Sequence, residues 1–199
     1  LTMHFVMSAE SGVSKFSDLE GKTILLGKGS FGAKEGAKYL KLFGLGGKVK
    51  LANVELNNAV PAIKNRQIDG FVTAGSYPAP NVIEAAAGIG VTLISLSDAQ
   101  VKKSKRTRLI IPAGTYPGID TDTVTTSLPV IAYTISNMNN ETAYQLTKTY
   151  WNQIASMGKA FPWWNGVSGK MLTNIYGKIH AGALRYYDEA GINVPSANR

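Results

Sequence analysis

The stretch that most constrains the chain is a glycine-rich turn, Gly27-Lys28-Gly29-Ser30-Phe31-Gly32-Ala33. It follows the apolar run Thr23-Ile24-Leu25-Leu26 and precedes Ala33, Ala37, Leu40 and Phe43, spaced by three and four residues. A short apolar run closed by glycine reads as a buried strand, and the spacing after it reads as one helix face. Ser30 is then the candidate N-cap. A helix start presents backbone N–H groups without intrahelical partners at the positive end of its dipole, an arrangement suited to a carboxylate, phosphate or sulfate. The Gly-Lys-Ser/Thr ending of a nucleotide-binding P-loop is missing, and Gly27, Gly29 and Gly32, though spaced Gly-x-Gly-x-x-Gly, are followed by no acidic residue at a strand end about twenty positions on to complete a dinucleotide fingerprint.

Strands and helices alternate around this turn. Met3 to Met7 reads as a strand. After Thr23 to Leu26 and the helix from Ala33 to a stop at Gly44 come a strand over Val49–Leu56 and a short helix from Asn57 or Asn58. A strand over Gln67–Gly75, a helix over Asn81–Ala87 and a strand over Val91–Leu96 follow. This order predicts an α/β fold with a mainly parallel sheet, in which ligands lie outside the carboxyl ends of the strands. Gly27 to Gly32, Glu55 to Asn58 and Thr73 to Tyr77 all follow strand ends and are expected on one rim. Leu109–Ile111 predicts a further strand, ended by a Pro/Gly turn. Ser127 to Ile135 predicts a long apolar strand, Glu141 to Met157 a helix, and Leu172 to Ile179 a last short helix.

Composition narrows the function. The chain has 199 residues, 44% of them hydrophobic, and none of its apolar runs reaches the length of a membrane helix. It has no cysteine, hence no disulfide framework and no thiol nucleophile. Its net charge is +8, yet the one dense basic run, Lys102 to Arg108, carries no interleaved aromatic for base stacking. The run is expected on the surface, and no nucleic acid is expected as partner. Of the two histidines, His4 lies in an apolar strand and His180 beside Gly182 and Arg185; both are expected in structural roles. Asp69, in an apolar strand, and the pair Trp163-Trp164 are read the same way. No spacing of His, Asp or Glu points to a metal, no acid–base pair stands out, and no cofactor is expected.

Several stretches in order resemble the TAXI solute receptors, the extracytoplasmic binding proteins of one class of TRAP transporter. They are Asp18-Leu19-Glu20-Gly21-Lys22, Gly27 to Gly32, Ile68 to Gly75, Ile111 to Gly118, and the tail from His180 to Tyr187. Arg66, where that family usually has glycine, Gly70 in place of alanine, and Ala181 in place of proline depart from its pattern. The resemblance implies the two-lobed fold of a type II periplasmic binding protein, a periplasmic location, a small carboxylate or amino-acid solute such as glutamate, and the membrane subunits of a TRAP transporter as partners. It implies three parts: an entering hinge strand and turn over residues 1–20, an α/β second lobe over 21–125, and a returning hinge strand with C-terminal helices over 126–199. A first-lobe segment that the family carries before the position of Leu1 is not in this sequence. On the residues themselves, Ser30, Phe31 and Gly32 are the expected carboxylate grip. Asn57 is an amide contact, Thr73, Ala74 and Gly75 a close-approaching strand end, and Tyr77 and Tyr116 aromatic walls. An enzyme or cofactor-binding module on a related α/β fold, and a surface antigen or interaction protein without a small ligand, are the alternatives.

Overall fold

The computed structural model describes residues 1–199. They divide into two compact units, Leu1–Leu128 and Pro129–Arg199. The first unit carries a seven-stranded sheet: β1 Thr2–Ser8, β2 Thr23–Leu25, β3 Lys50–Ala52, β4 Gly70–Gly75, β5 Val91–Leu93, β6 Thr107–Ile111 and β7 Thr123–Ser127. The order is β3-β2-β4-β1-β7-β6, with β5 also on β1. β2 pairs parallel with β3 and β4, whereas β1 runs antiparallel to β4, β5 and β7, and β6 antiparallel to β7. So β2, β3, β4, β5 and β7 share one direction, and β1 and β6 oppose it. The sheet is mainly parallel in strand direction, as the alternating pattern implies, with a reversed strand at its centre.

β1 explains that centre. Its residues Thr2 to Met7 are all buried, because both faces of the sheet are covered and each side chain has somewhere to go. His4 and Val6 point to one face, Met3, Phe5 and Met7 to the other. Val6, Leu25 and Phe71 pack under α2 (Ala59–Lys64) and α3 (Pro80–Ile89). Met3, Phe5, Met7, Ile24 and Val72 pack under α1 (Phe31–Leu42) and α4 (Asp98–Ser104). The cross-strand neighbour of Met7 is Gly70, and a Cβ there would overlap the Val6 carbonyl and the Met7 sulfur. The departure to glycine at this position is therefore a packing requirement of β1 against β4.

Two expectations are corrected. The strand placed over Ser127–Ile135 lies earlier, as β7 Thr123–Ser127. Leu1 and Leu128 exchange backbone hydrogen bonds of 2.5 and 2.8 Å, and Pro129 then takes the chain out of the ladder, since it has no N–H to donate. Residues 128–136 form no strand, so the returning hinge strand near Leu128 to Ser136 is absent from this structure. β1, within the part expected over 1–20, is the central strand of the first unit's sheet. In the second unit, Leu172–Ile179 does not form an α-helix; its first three residues belong to a 3-10 turn over Gly169–Asn174 and the rest is not helical.

The second unit is built from α5 (Asn140–Ala160) and α6 (Ala181–Glu189). Asn139 caps α5 by accepting from the N–H groups of Glu141 and Thr142. Tyr144, Leu172, Tyr186, Tyr187 and Val194 form its core. The Arg185 guanidinium lies 3.7 Å from the centre of the Tyr144 ring and pairs with Glu141 at 2.6 Å.

One tie in the first unit is not visible from spacing alone. Glu35 sits on the inward face of α1 and is nearly buried. It accepts from Arg106 Nε at 3.0 Å and Nη2 at 2.6 Å. This two-pronged pair fastens α1 to the segment entering β6, and it draws one arginine of the basic run out of solvent. Truncating one partner of such a pair strands the other charge, which costs about 3 kcal/mol in comparable buried pairs. Glu35→Ala is therefore expected to destabilise the chain by an amount of that order. Urea unfolding followed by circular dichroism checks it, with Lys38→Ala, which only grazes Glu35 at 3.8 Å, as a near-neutral control.

Candidate functional site

The parallel registers Leu25↔Ala52 and Leu25↔Phe71 bring the carboxyl ends of β2, β3 and β4 to one rim. The start of β1 and the end of β7 join them there, since Thr2 lies opposite both Gly75 and Ser127. The segments expected on one rim are there.

The glycine turn makes a sharp entry into α1. Gly27 and Gly29 have φ of 72° and 76°, a region that L side chains rarely adopt. Ser30 caps the helix: its hydroxyl oxygen accepts from the Ala33 N–H at 3.0 Å, and its hydroxyl donates to the Gly27 carbonyl at 2.8 Å. The hydroxyl proton is thus engaged inside the turn. The donors left for an anion are the N–H groups of Phe31 and Gly32, which as the first two helical residues have no acceptor within the helix.

Gly32 places this turn on β4. A Cβ on it would lie 3.0 Å from the Ala74 nitrogen and 3.4 Å from Thr73 Cα, so the helix start and the strand end touch backbone to backbone. Its φ is not positive; closeness, not backbone freedom, requires glycine here. Gly27 does the same against the next segment, with Leu56 Cβ 3.2 Å from where its own Cβ would be. Leu56 begins the 3-10 turn Leu56–Asn58, whose exposed Asn57 lines a shallow groove of about 410 Å³. Val60, Pro80, Asn81 and Glu84 line it too. Asn81 and Glu84 were not singled out from the sequence. Pro80 marks the helix start in the sequence, but which side chains of that helix face the groove depends on how it packs.

Ala74 and Gly75 are half-buried at the strand end, and Gly75 has open space around it. Thr73 is buried and shares its face with His4, its register partner. Tyr77, joined to Pro78 by a cis peptide bond, packs partly against the core under α2 and α3. Tyr116 departs from the expected wall. It is only 1% exposed, because the loop after β6 folds under the sheet and buries the ring. There its hydroxyl accepts from the Ala79 N–H at 2.9 Å and meets His4 Nε2 at 2.8 Å.

That contact fixes the protonation of the pair. His4 Nδ1 lies 3.1 Å from the Thr2 carbonyl, which can only accept. Nδ1 therefore carries the proton, Nε2 accepts, and the Tyr116 hydroxyl donates to it. Burial pushes the His4 pKa down to about 4, opposed by the bond to Thr2, and pushes that of Tyr116 up to about 12. His180 is also fully used. As N-cap of α6 it accepts from the Gly182 N–H at 3.1 Å through Nδ1, and Nε2 donates to the Met138 carbonyl at 3.1 Å. Asp69 accepts from the Thr23 N–H at 2.7 Å, fastening β2 beside β4. All three titratable side chains are structural, and no group of three or more His, Cys, Asp or Glu converges. The rim offers backbone donors, amides and the carboxylates of Glu55 and Glu84, which is equipment for holding a polar molecule.

No helix is long and apolar enough to cross a membrane. Among solved structures, the chain is similar to the periplasmic aliphatic sulphonate binding protein SsuA from Escherichia coli. The two are 12% identical, over 96% of this chain and 51% of that one, with a TM-score of 0.44. The alkanesulfonate-binding protein SsuA from Xanthomonas axonopodis pv. citri bound to MOPS is 16% identical over 95% and 47%, with a TM-score of 0.40. An ancestral arginine-binding protein bound to arginine is 15% identical over 83% and 57%, with a TM-score of 0.41. The chain thus spans about half the length of these structures. A family model matches almost its whole length, residues 2–191, and on that match the chain belongs to the NMT1-like family.

Proposed function

We propose that this chain is the solute-holding part of an extracytoplasmic receptor, and that its solute is a small amino acid of the glutamate type. The observation that carries this reading is the backbone contact of Gly32 with the end of β4. The same turn reaches the amide-lined groove through Gly27, which lies against Leu56, a lining residue of that groove with Asn57 and Asn81. A carboxylate suits the N–H donors of the α1 start and the dipole behind them. Glu84 on the same groove offers a partner to an ammonium, which an amino acid has and a plain dicarboxylate lacks. An amino acid therefore fits better than a plain dicarboxylate. Capture without chemistry agrees with histidines already committed to the fold. The sequence resemblance to TAXI receptors supports a periplasmic location and delivery to the membrane subunits of a TRAP transporter.

Calorimetric titration of the 199-residue chain with L-glutamate, glutarate and a polyamine tests the reading. Binding of L-glutamate in preference to glutarate is expected, with Ser30→Ala weakening it about tenfold through a loosened helix cap, or ~1.4 kcal/mol. Binding of the polyamine alone would exclude the proposed grip.

A further inference from the structure

We propose that Tyr116 and His4 are positioning residues for the groove: a hydrogen-bond relay from β1 through His4 and Tyr116 to the Ala79 N–H fixes where α3 begins, and with it the groove side chains Asn81 and Glu84. The effect on the groove stands by itself. The effect on a bound solute rests on the amino-acid reading above.

The relay serves a helix that does not cap itself. α3 starts at Pro80, and Ala79 before it has no side-chain cap. The third helical residue, which in a capping box reaches back to this N–H, is the apolar Val82. Ala79 is buried, so its N–H needs an acceptor inside the protein. The Tyr116 hydroxyl supplies it, at 2.9 Å.

That hydroxyl is held from two sides. The loop carrying Tyr116 is closed by the Gly114 N–H on the Ile119 carbonyl at 2.8 Å and by the Ala113 N–H on the Asp122 carboxylate at 2.9 Å. The ring is thereby placed from behind, edge-on to His4. In front, the hydroxyl proton is committed to His4 Nε2 at 2.8 Å, and the imidazole is itself oriented by the Thr2 carbonyl on Nδ1. With its proton drawn to His4, the oxygen turns a lone pair to Ala79.

The groove begins where the relay ends. Pro80 and Asn81 open α3 and line the groove, and Glu84 follows one turn on. A shift of Ala79 is passed to both side chains by the helix between them. His4 also stands beside the other part of the rim. Its register partner is Thr73, whose Cα would lie 3.4 Å from a Cβ on Gly32. One buried imidazole thus backs both the wall of the groove and the strand end that meets the glycine turn.

Nuclear magnetic resonance and amide exchange on the full 199-residue chain test this. Tyr116→Phe keeps the ring and removes the hydroxyl, which leaves the Ala79 N–H without its acceptor. The Ala79 amide is expected to exchange about tenfold faster. The Asn81 carboxamide and Glu84 amide resonances are expected to move, and the His4 Nε2 resonance to shift as its donor is lost. Calorimetry is expected to show L-glutamate bound about tenfold more weakly. His4→Gln, which leaves Tyr116 in place, should move the same Asn81 and Glu84 resonances by less. Ser104→Ala is the matched control. Its buried hydroxyl also donates once and accepts once, to the Val101 carbonyl at 2.6 Å and from the Arg106 N–H at 3.1 Å, but on α4, over the opposite face of the sheet from Tyr116 and Ala79. A loss of stability alone would appear in both variants; movement at the groove should appear only with Tyr116→Phe. Unmoved Asn81 and Glu84 resonances in Tyr116→Phe, or equal movement in Ser104→Ala, overturn the proposal. So does a His4→Gln chain with an unaltered groove. A wild-type chain that binds no L-glutamate removes the amino-acid reading, and the exchange and resonance measurements still decide the relay.

Discussion

Lowering the pH from 7 to 4 is expected to remove about 3 kcal/mol of stability through His4 alone. In the folded chain this imidazole is neutral, with its pKa pushed down to about 4 by burial; unfolded, it titrates near 6.5. Above 6.5 neither state binds the proton and the group has no effect. Between 6.5 and 4 only the unfolded chain is protonated, so stability falls as the pH falls, at about 1.4 kcal/mol per unit. Below 4 both states are protonated and the loss is complete. The carboxylates of Asp18, Glu141, Asp188 and Glu189, all held below their ordinary range by hydrogen bonds, lose their contributions in acid as well. The His4 share is isolated by comparing urea unfolding of wild type and His4→Gln at pH 7, 5 and 4. The variant's stability should fall less steeply, by one proton's worth. Proton resonances give a second readout in the unaltered protein. The chain has two histidines, and the imidazole titrating near 4 should be His4. A His4 titrating near 6.5 would refute the assignment.

Gly182→Ala is expected to unfold the second unit or come close to it. Alanine in a helix is ordinarily favoured over glycine, by about 1 kcal/mol. Here the added Cβ would overlap the Asn140 carbonyl oxygen and lie 2.9 Å from both Ala143 Cβ and the Tyr144 nitrogen. Two of these three atoms are backbone of α5 and have no rotamer by which to yield. The helices would have to separate, pulling Tyr186 and Tyr187 away from Tyr144 and Trp151. Overpacking of this kind costs about 1–3 kcal/mol where side chains can adjust, and more is expected where they cannot. The three tryptophans, Trp151, Trp163 and Trp164, all lie in this unit, so the midpoint of their fluorescence transition reports it directly. Gly166→Ala, where a Cβ meets nothing within 4 Å, is the matching control and should leave that midpoint in place.

What the sequence made legible follows from how each feature is encoded. The glycine turn, the strand before it and the helix after it are local: periodicity, a cap and two positive φ values lie within adjacent residues. β7 is encoded differently. Thr-Val-Thr-Thr-Ser reads as polar, yet Thr125 and Thr126 are buried because their hydroxyls find the Met3 carbonyl and the Tyr39 hydroxyl. Those partners stand 122 and 87 residues away, and no window reveals them. The apolar run that follows has the better strand pattern, but Pro129 withholds it from this ladder. Tyr116 shows the same limit at the site. Its place in a Pro/Gly turn marks a surface loop, and it is the bonds to His4 and the Ala79 N–H, with packing in the core, that hold the ring inside. Of the rim, the helix start, strand end and Asn57 were readable, while Asn81 and Glu84 depend on how α3 lies beside α2.

The exchange of hydrogen bonds between Leu1 and Leu128 has a mechanical side. The first unit is entered and left through neighbouring strands at one corner, so its chain forms a loop drawn shut at the neck. A pull that separates those two residues meets the clasp first and then only the single registered pair behind it, Thr2 with Ser127. A pull along the strands would load the β1–β4 ladder all at once, in shear over its six registered pairs. The unit is soft to traction at its doorway and stiff along its grain.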